Sequence, residues 1–213
     1  MSEDRLPLVV LISGRGSNLQ SIIDKARAAE LPVVIRAVIS NEPDAAGLER
    51  ARRAGIETRV VNHRDFSTRE EFDQALIRVV DDFEPGLVVL AGFMRILTAA
   101  FVNHYRDRLM NIHPSLLPDL PGLNTHQRAL DAGVKEHGVS VHFVTPSLDG
   151  GPVIIQARVP VYDEDDAESL AARVLEQEHV IYPQAIKWFA EGRLGVVDGV
   201  ATLDGNPCPM TQS

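Results

Sequence analysis

Two polar side chains in a short apolar segment are the first candidates for chemistry. In LMNIH, from Leu109 to His113, the amide of Asn111 and the imidazole of His113 stand two residues apart. If this segment is a β-strand, both side chains lie on the same face. Pro114 ends the strand because it cannot donate a ladder hydrogen bond. The amide and the imidazole would then stand side by side at the end of a strand, which is where ligands bind in open α/β sheets. A hydrogen-bonded core histidine beside a turn-forming asparagine remains the alternative.

A second polar group follows in GVSVHFVTPSLDGGP, from Gly138 to Pro152. Ser140 and His142 alternate with apolar residues, so one face of the predicted strand is polar. A glycine turn then presents Asp149. The alternatives are a solvated edge-strand face for Ser140 and His142, and a turn-forming role for Asp149.

A glycine-rich turn near the N-terminus is the third candidate. Gly14-Arg15-Gly16-Ser17-Asn18 follows an apolar segment and precedes helical spacing. The third glycine of a dinucleotide fingerprint is replaced by Leu19, and the lysine of a P-loop is absent. The unpaired N–H groups and the dipole of a helix N-terminus still suit one phosphate. A plain tight turn capped by Ser17 or Asn18 is equally compatible with this pattern.

Composition excludes several classes of protein. The net charge of −9 without a basic stripe argues against a nucleic-acid surface. The one cysteine, Cys208, excludes an intramolecular disulfide framework, and no run of 18 apolar residues predicts a membrane span. The acidic N-terminal residues lack a signal core, which predicts a cytoplasmic protein. The histidines show no metal-ligand spacing, so no metal is expected.

These candidates need a scaffold, and the chain predicts an open, mostly parallel twisted α/β sheet with helices on both faces. We expect strands at Pro7–Ser13, Pro32–Ile39, Glu57–Val61, Leu87–Ala91, Leu109–His113, Val139–Thr145 and Val153–Val159. We expect helices at Ser17–Ala29, Asp44–Ala54, Ser67–Phe83 and Asp166–Ala190. Ser67 and Glu70 would cap the third helix. Leu170, Val174, Ile181, Ala185 and Trp188 form an apolar stripe on the last. From Val196 onward we expect a short hairpin and a loose tail.

The motifs ISGRGSNLQ, AGFMRIL, NIHPSLLP, SVHFV, LDGGP and QEHVIYP, in this order, closely resemble those of the phosphoribosylglycinamide formyltransferases of the folate-dependent purine pathway. The resemblance covers about residues 8–193. It implies a single formyltransferase domain over 1–213, with a Rossmann-like, mononucleotide-binding half at about 1–105 and a catalytic and folate-binding half at about 106–213. The implied reaction is formyl transfer from 10-formyltetrahydrofolate to the glycyl amine of 5'-phosphoribosylglycinamide, without a metal.

The resemblance also assigns roles to residues. Its catalytic trio falls on Asn111, His113 and Asp149, and Ser140 and His142 would support that trio. Its substrate phosphate and ribose sites fall on Gly16, Ser17, Asn18 and Glu178. Its folate site falls on Arg69, Met94, Arg95, Ile96, Leu97, Asn111, Val144 and Asp149. Family members vary around residues 119–124, which leaves the side chain of Asn124 without an assigned role.

Three other functions remain open. A hydrolase that releases formate could use the same trio, with water in place of the amine. A formyltransferase acting on methionyl-tRNA would want a basic C-terminal domain, and this chain is acidic. A non-catalytic phosphate-binding module would need Gly16–Asn18 alone. The expected partners are small-molecule substrates, with neither nucleic acid nor a membrane. A homodimer through an exposed strand edge or helix face is a further expectation.

Overall fold

The computed structural model describes residues 5–212, and for residues 210–212 it describes the backbone alone. The chain folds as two compact units that divide between Asn111 and Ile112. The division falls within one strand, β5 (Leu109–His113). The predicted α/β fold with an open, mostly parallel sheet and flanking helices is confirmed. None of the described helices is long and apolar enough to cross a membrane.

The first unit alternates strands and helices, as predicted. Its elements are β1 (Leu6–Ile12), α1 (Ser17–Arg27), β2 (Val33–Ser40), α2 (Ala46–Arg53), β3 (Glu57–Val60), a 3₁₀ turn (His63–Asp65), α3 (Arg69–Asp81), β4 (Leu87–Leu90), α4 (Ala99–His104) and the start of β5. The strand order is β3-β2-β1-β4-β5, and each pair is parallel. The wholly apolar β4 is buried at each of its positions, as expected for a strand covered on both faces.

The N-terminal cap of α3 differs from the prediction. Thr68, not Ser67, is the N-cap, and its hydroxyl accepts from the N–H of Glu71 at 3.2 Å. The Glu71 carboxylate accepts in return from the N–H of Thr68 at 3.2 Å. Two hydroxyl residues in succession, each with a glutamate three positions later, gave two candidate capping boxes, and the second one forms.

The second unit is less regular. It holds the end of β5, α5 (Thr125–Asp131), β6 (Glu136–Phe143), β7 (Val153–Pro160), α6 (Ala167–Ala190), β8 (Leu194–Val197), β9 (Val200–Leu203), β10 (Asn206–Pro207) and β11 (Met210–Gln212). Strands β6 and β7 are antiparallel, and α6 packs on both. The predicted stripe of α6 is buried at Leu170, Val174, Ile181 and Ala185, whereas Trp188 is half-buried.

The C-terminal prediction is confirmed in one part and wrong in the other. The hairpin forms between β8 and β9, with β10 beside it in a separate three-stranded sheet. The tail is not loose, because Met210–Gln212 pairs in parallel with Ile155–Ala157 of β7. An outer strand presents unpaired backbone groups, and β11 satisfies those of β7.

Candidate active site

The glycine turn places the N-terminus of α1 beside an open pocket. Gly16 is the N-cap, with φ of 73°, and no side chain caps the helix, so the alternative of a turn capped by Ser17 or Asn18 is wrong. The N–H groups of the first helical turn have no acceptor within the helix. The cleft holds about 210 Å³ and is lined by Ser13, Gly14, Arg15, Gly16, Ser17, Asn18, Ala91, Gly92 and Met94. The predicted phosphate residues Gly16, Ser17 and Asn18 therefore share one wall.

Gly16 also makes a close backbone contact that the sequence did not reveal. A Cβ added at Gly16 would lie 2.7 Å from the Cα of Gly47, in the first turn of α2. The N–H of Gly47 donates to the carbonyl of Gly14 at 2.9 Å. The two glycines thus let the starts of α1 and α2 approach closely, which fixes the shape of the turn.

We expect Gly16→Ala to destabilise the protein by about 3 kcal/mol, because alanine is strained at positive φ and its methyl group meets backbone. Gly55→Ala is the matched control, since Gly55 has φ of 72° and nothing within 4 Å of an added Cβ. Urea unfolding of both variants separates backbone strain from the contact with Gly47. Equal losses of stability would show that the close contact contributes nothing.

The segment after β4 carries four of the eight residues that the resemblance linked to folate. Met94 and Ile96 are 67% and 56% exposed, whereas Arg95 and Leu97 are half-buried. The guanidinium of Arg95 lies 5.9 Å from the ring centre of Phe72. Arg69 is the first residue of α3 and is exposed. Two exposed apolar side chains beside a polar pocket provide a surface that suits a flat ring.

A carboxylate and two imidazoles meet in the second unit. Asp149 Oδ2 lies 3.6 Å from His113 Nδ1, and Asp149 Oδ1 lies 3.9 Å from His142 Nε2. The three side chains are no more than 9% exposed. The N–H of Gly122 donates to Asp149 Oδ2 at 2.9 Å, which orients the carboxylate. The structure therefore brings together three of the residues singled out in the sequence.

The orientation of the His113 ring is set by a strained loop. His113 Nε2 lies 3.0 Å from the carbonyl oxygen of Leu120, which fits an Nε2–H that donates to it. Nδ1 is then the ring atom that faces Asp149. Leu120 has φ of 51°, uncommon for a residue other than glycine, asparagine or aspartate. Asp149 itself has φ of 49°, so it forms the turn and also faces the histidines.

The polar face of β6 is buried, so its interpretation as a solvated edge face is wrong. Ser140 and His142 are 0% and 2% exposed. The hydroxyl of Ser140 donates to the carbonyl of Ser115 at 2.7 Å and accepts from the N–H of Leu117 at 3.0 Å. Ser140 thus holds the loop that follows His113. Burial lowers the pKa of His142, which favours the neutral ring beside Asp149.

The remaining predicted residues have the following positions. Asn111 lies on β5 two residues before His113, and it is half-buried. Val144 directly follows β6, and Glu178 lies in the middle of α6; both are half-buried. Asn124 is the N-cap of α5, with φ of 56° and no side-chain cap hydrogen bond. Asn124 therefore acts on the helix start through its backbone conformation.

A second histidine pair lies near the first. His137 Nε2 is 3.2 Å from His126 Nδ1, and the carbonyl of Pro114 accepts a hydrogen bond from the His137 ring. Burial, together with His126 and His113, lowers the pKa of His137 to about 4. Burial and His113 also lower the pKa of His126. Among the described residues, no group of three or more candidate ligands could hold a metal ion.

This pair makes stability dependent on pH. The pKa of His137 is about 4 in the fold, against 6.5 for an ordinary histidine, so the unfolded chain binds the extra proton first as the pH falls. The contribution of His137 to the free energy of unfolding is fully present above pH 6.5. It is lost as the pH falls towards 4, by up to about 1.4 kcal/mol per pH unit. Urea unfolding between pH 7.5 and 4.5 should show a shallower loss in His137→Gln. An identical pH dependence would contradict this assignment.

Several residues near these sites carry no signal in the sequence. Ser13, Ala91 and Gly92 line the cleft beside α1, and Gly47 shapes the glycine turn. The carbonyl of Leu120 and the N–H of Gly122 orient the His113–Asp149 pair. At Leu120 and Gly122 the contacting groups belong to the backbone. Because nearly every residue type has the same backbone groups, the residue types at these positions could not reveal the contacts.

Comparison with known proteins identifies the family of this chain. A family model described as "Formyl transferase" matches residues 6–186. The phosphoribosylglycinamide formyltransferase of Escherichia coli (strain K12) is 57% identical over 202 residues, which are 95% of this chain and 95% of that protein. Its counterpart from Haemophilus influenzae is 48% identical over 204 residues, 96% of each chain. The solved phosphoribosylglycinamide formyltransferase of Coxiella burnetii, in complex with CHES, matches with a TM-score of 0.92, 53% identity and 96% coverage of each chain. The chain therefore belongs to the formyl transferase family, and within it to the phosphoribosylglycinamide formyltransferases.

Proposed function

We propose that this enzyme transfers the formyl group of 10-formyltetrahydrofolate to the glycyl amine of 5'-phosphoribosylglycinamide, the third step of de novo purine synthesis in the cytoplasm. The buried pair of His113 and Asp149 at the end of β5 carries the proposal. The end of a strand in an open α/β sheet is where ligands bind. Family membership supplies the reaction class, and the pair supplies groups that can perform it.

In this proposal the amine nitrogen attacks the formyl carbon and the bond from that carbon to folate N10 breaks. The amine loses one proton, and N10 gains one. Asn111 donates an amide N–H to the oxygen that becomes negative, and protonated His113 adds a charge-assisted hydrogen bond. Asp149 Oδ2 faces His113 Nδ1 at 3.6 Å, so the carboxylate charge lies beside the imidazole ring. In this proposal Asp149 also holds a water that carries the proton from the amine to N10.

The binding roles divide along the chain. In the half at about 1–105, the turn at Gly16, Ser17 and Asn18 would hold the substrate phosphate. Its backbone N–H groups and the dipole of α1 suit an anion. Met94, Arg95, Ile96 and Leu97 would hold the folate, and Arg69 would pair with a folate carboxylate. In the half at about 106–213, Val144 would contact the folate, and Glu178 would bind the ribose hydroxyls.

The first experiment mixes the purified protein with 10-formyltetrahydrofolate, with and without phosphoribosylglycinamide. The absorbance of the deformylated folate reports turnover. We expect turnover only when the acceptor amine is present. Equal turnover without the acceptor would identify a formate-releasing hydrolase. Binding of the phosphate compound without turnover would identify a non-catalytic phosphate-binding module.

A further inference from the structure

The hydroxyl of Ser13, just beyond the end of β1, is bonded on both sides. It donates to Asn41 Oδ1 at 2.5 Å and accepts from the backbone N–H of Met94 at 2.7 Å. The N–H of Ser13 also donates to the carbonyl of Gly92 at 3.1 Å. One short polar side chain thus joins the loop after β2 to the loop after β4.

Asn41 is itself held firmly, so the direction of its oxygen is fixed. It is 2% exposed, and its Nδ2 lies 3.2 Å from His63 Nδ1. His63 Nδ1 lies 3.1 Å from the carbonyl of Asn41 and 3.6 Å from Glu42 Oε1. The guanidinium of Arg64 pairs with the Glu42 carboxylate at 2.7 Å. The amide of Asn41 therefore presents Oδ1 to Ser13 and Nδ2 to His63.

We infer that Ser13 and Asn41 are positioning residues for the formyl donor. They set the backbone of Met94, the first residue of the segment that holds folate in the proposed function, on which this inference rests. Ser13 lines the phosphate pocket. The hydroxyl of Ser13 nevertheless donates its proton to Asn41. Ser13 therefore positions the segment that holds folate and does not donate to the phosphate. Neither residue touches the reacting atoms.

Removal of the hydroxyl has a specific consequence. In Ser13→Ala, the Met94 N–H and Asn41 Oδ1 lose their shared partner at once. The segment at 92–97 then samples other conformations, and binding the donor must restore the productive one. A lost hydrogen bond of this kind is worth about 1 kcal/mol, so the KM for 10-formyltetrahydrofolate should rise about 5- to 10-fold. In Asn41→Ala, which breaks the same chain of hydrogen bonds without changing the lining of the cleft, kcat and the KM for the acceptor should stay within about 2-fold of the wild type, which is well below that loss.

Ser40 provides a matched control within the same loop. Ser40 is 0% exposed. Its hydroxyl donates to the backbone carbonyl of Glu42 at 2.8 Å and accepts from the backbone N–H of Glu42 at 3.0 Å. Ser40→Ala therefore removes a buried serine hydroxyl next to Asn41, but not the bond to Met94. Its donor KM should match the wild type even if its stability falls.

Two measurements on full-length protein test the inference. Steady-state kinetics of Ser13→Ala, Asn41→Ala and the double variant should give overlapping rather than additive effects on the donor KM, since both changes break one chain of hydrogen bonds. Hydrogen exchange without ligand should be faster at residues 92–97 in Ser13→Ala and Asn41→Ala, and unchanged in Ser40→Ala.

The outcomes separate this inference from the proposed function. A donor KM in Ser13→Ala that equals that of Ser40→Ala overturns the inference, and so does unchanged hydrogen exchange at 92–97. Faster exchange with an unchanged donor KM also overturns it, because the segment would then move without affecting the donor. A wild-type protein that does not use 10-formyltetrahydrofolate overturns the proposed function first, and with it the role toward the donor.

Discussion

His113→Ala is expected to lower kcat by a factor of about 10² to 10³, because in the proposed mechanism it removes one donor to the negative oxygen of the transition state. Asn111→Ala should cost a similar factor for the same reason. His113 is 6% exposed and ends β5, and an alanine there leaves the strand intact. Both variants should bind the two substrates with affinities near those of the wild type, since the phosphate turn and the folate segment are unchanged.

Steady-state rates together with substrate titrations distinguish loss of chemistry from loss of binding. His104→Ala is the control, since His104 is exposed on α4 and pairs with Asp81 at 2.9 Å. That control should keep wild-type rates. Near wild-type turnover in either Asn111→Ala or His113→Ala would remove that residue from the proposed mechanism.

Asp149→Asn should retain the fold and lose activity by a factor of about 10² or more, the usual contribution of an acid–base group. Asparagine tolerates the φ of 49° found at this position, and its oxygen can still accept from the N–H of Gly122. The substitution therefore removes the negative charge that faces His113 and His142. In the proposed mechanism it also removes the carboxylate that holds the proton-carrying water.

Asp198→Asn is the matched control for this change. Asp198 also lies in a turn with positive φ, 51°, between β8 and β9. Single-turnover rates with saturating substrates should fall in Asp149→Asn alone, with circular dichroism spectra that match the wild type. Full activity in Asp149→Asn would reduce Asp149 to a turn former.

The sequence predicted those parts of the site that a simple periodicity governs. The apolar run of β4 predicted a strand covered on both faces, and alternation placed Asn111 and His113 on one face of β5. The polar face of β6 could not be assigned in the same way. A polar residue at every second position gives the same sequence pattern on a solvent-exposed face and on a buried, hydrogen-bonded face. Ser140 belongs to the second kind, since its hydroxyl is hydrogen-bonded inside the protein.

Other features depend on tertiary contacts that no local pattern encodes. The close approach of Gly16 to Gly47 joins residues 31 positions apart, and each glycine alone resembles an ordinary turn or helix residue. Helices α4 and α5 have six and seven residues, too few to show a helical period. Asn41 directly follows β2, and nothing in its type or position marks a partner. Its bond to Ser13 became evident only in three dimensions.

The pairing of β11 with β7 bears on how two copies of this chain could associate. Met210–Gln212 pairs with Ile155–Ala157 along the outer edge of β7. The backbone groups of β7 at these positions are therefore not available to a strand of another molecule. In the first unit the outer strand is β3, where Glu57 and Arg59 form an ion pair on an exposed face. Such charges oppose continuous strand addition. A strand of another molecule could therefore pair directly with β7 at these residues only by displacing β11, and along β3 it would meet the charges of Glu57 and Arg59.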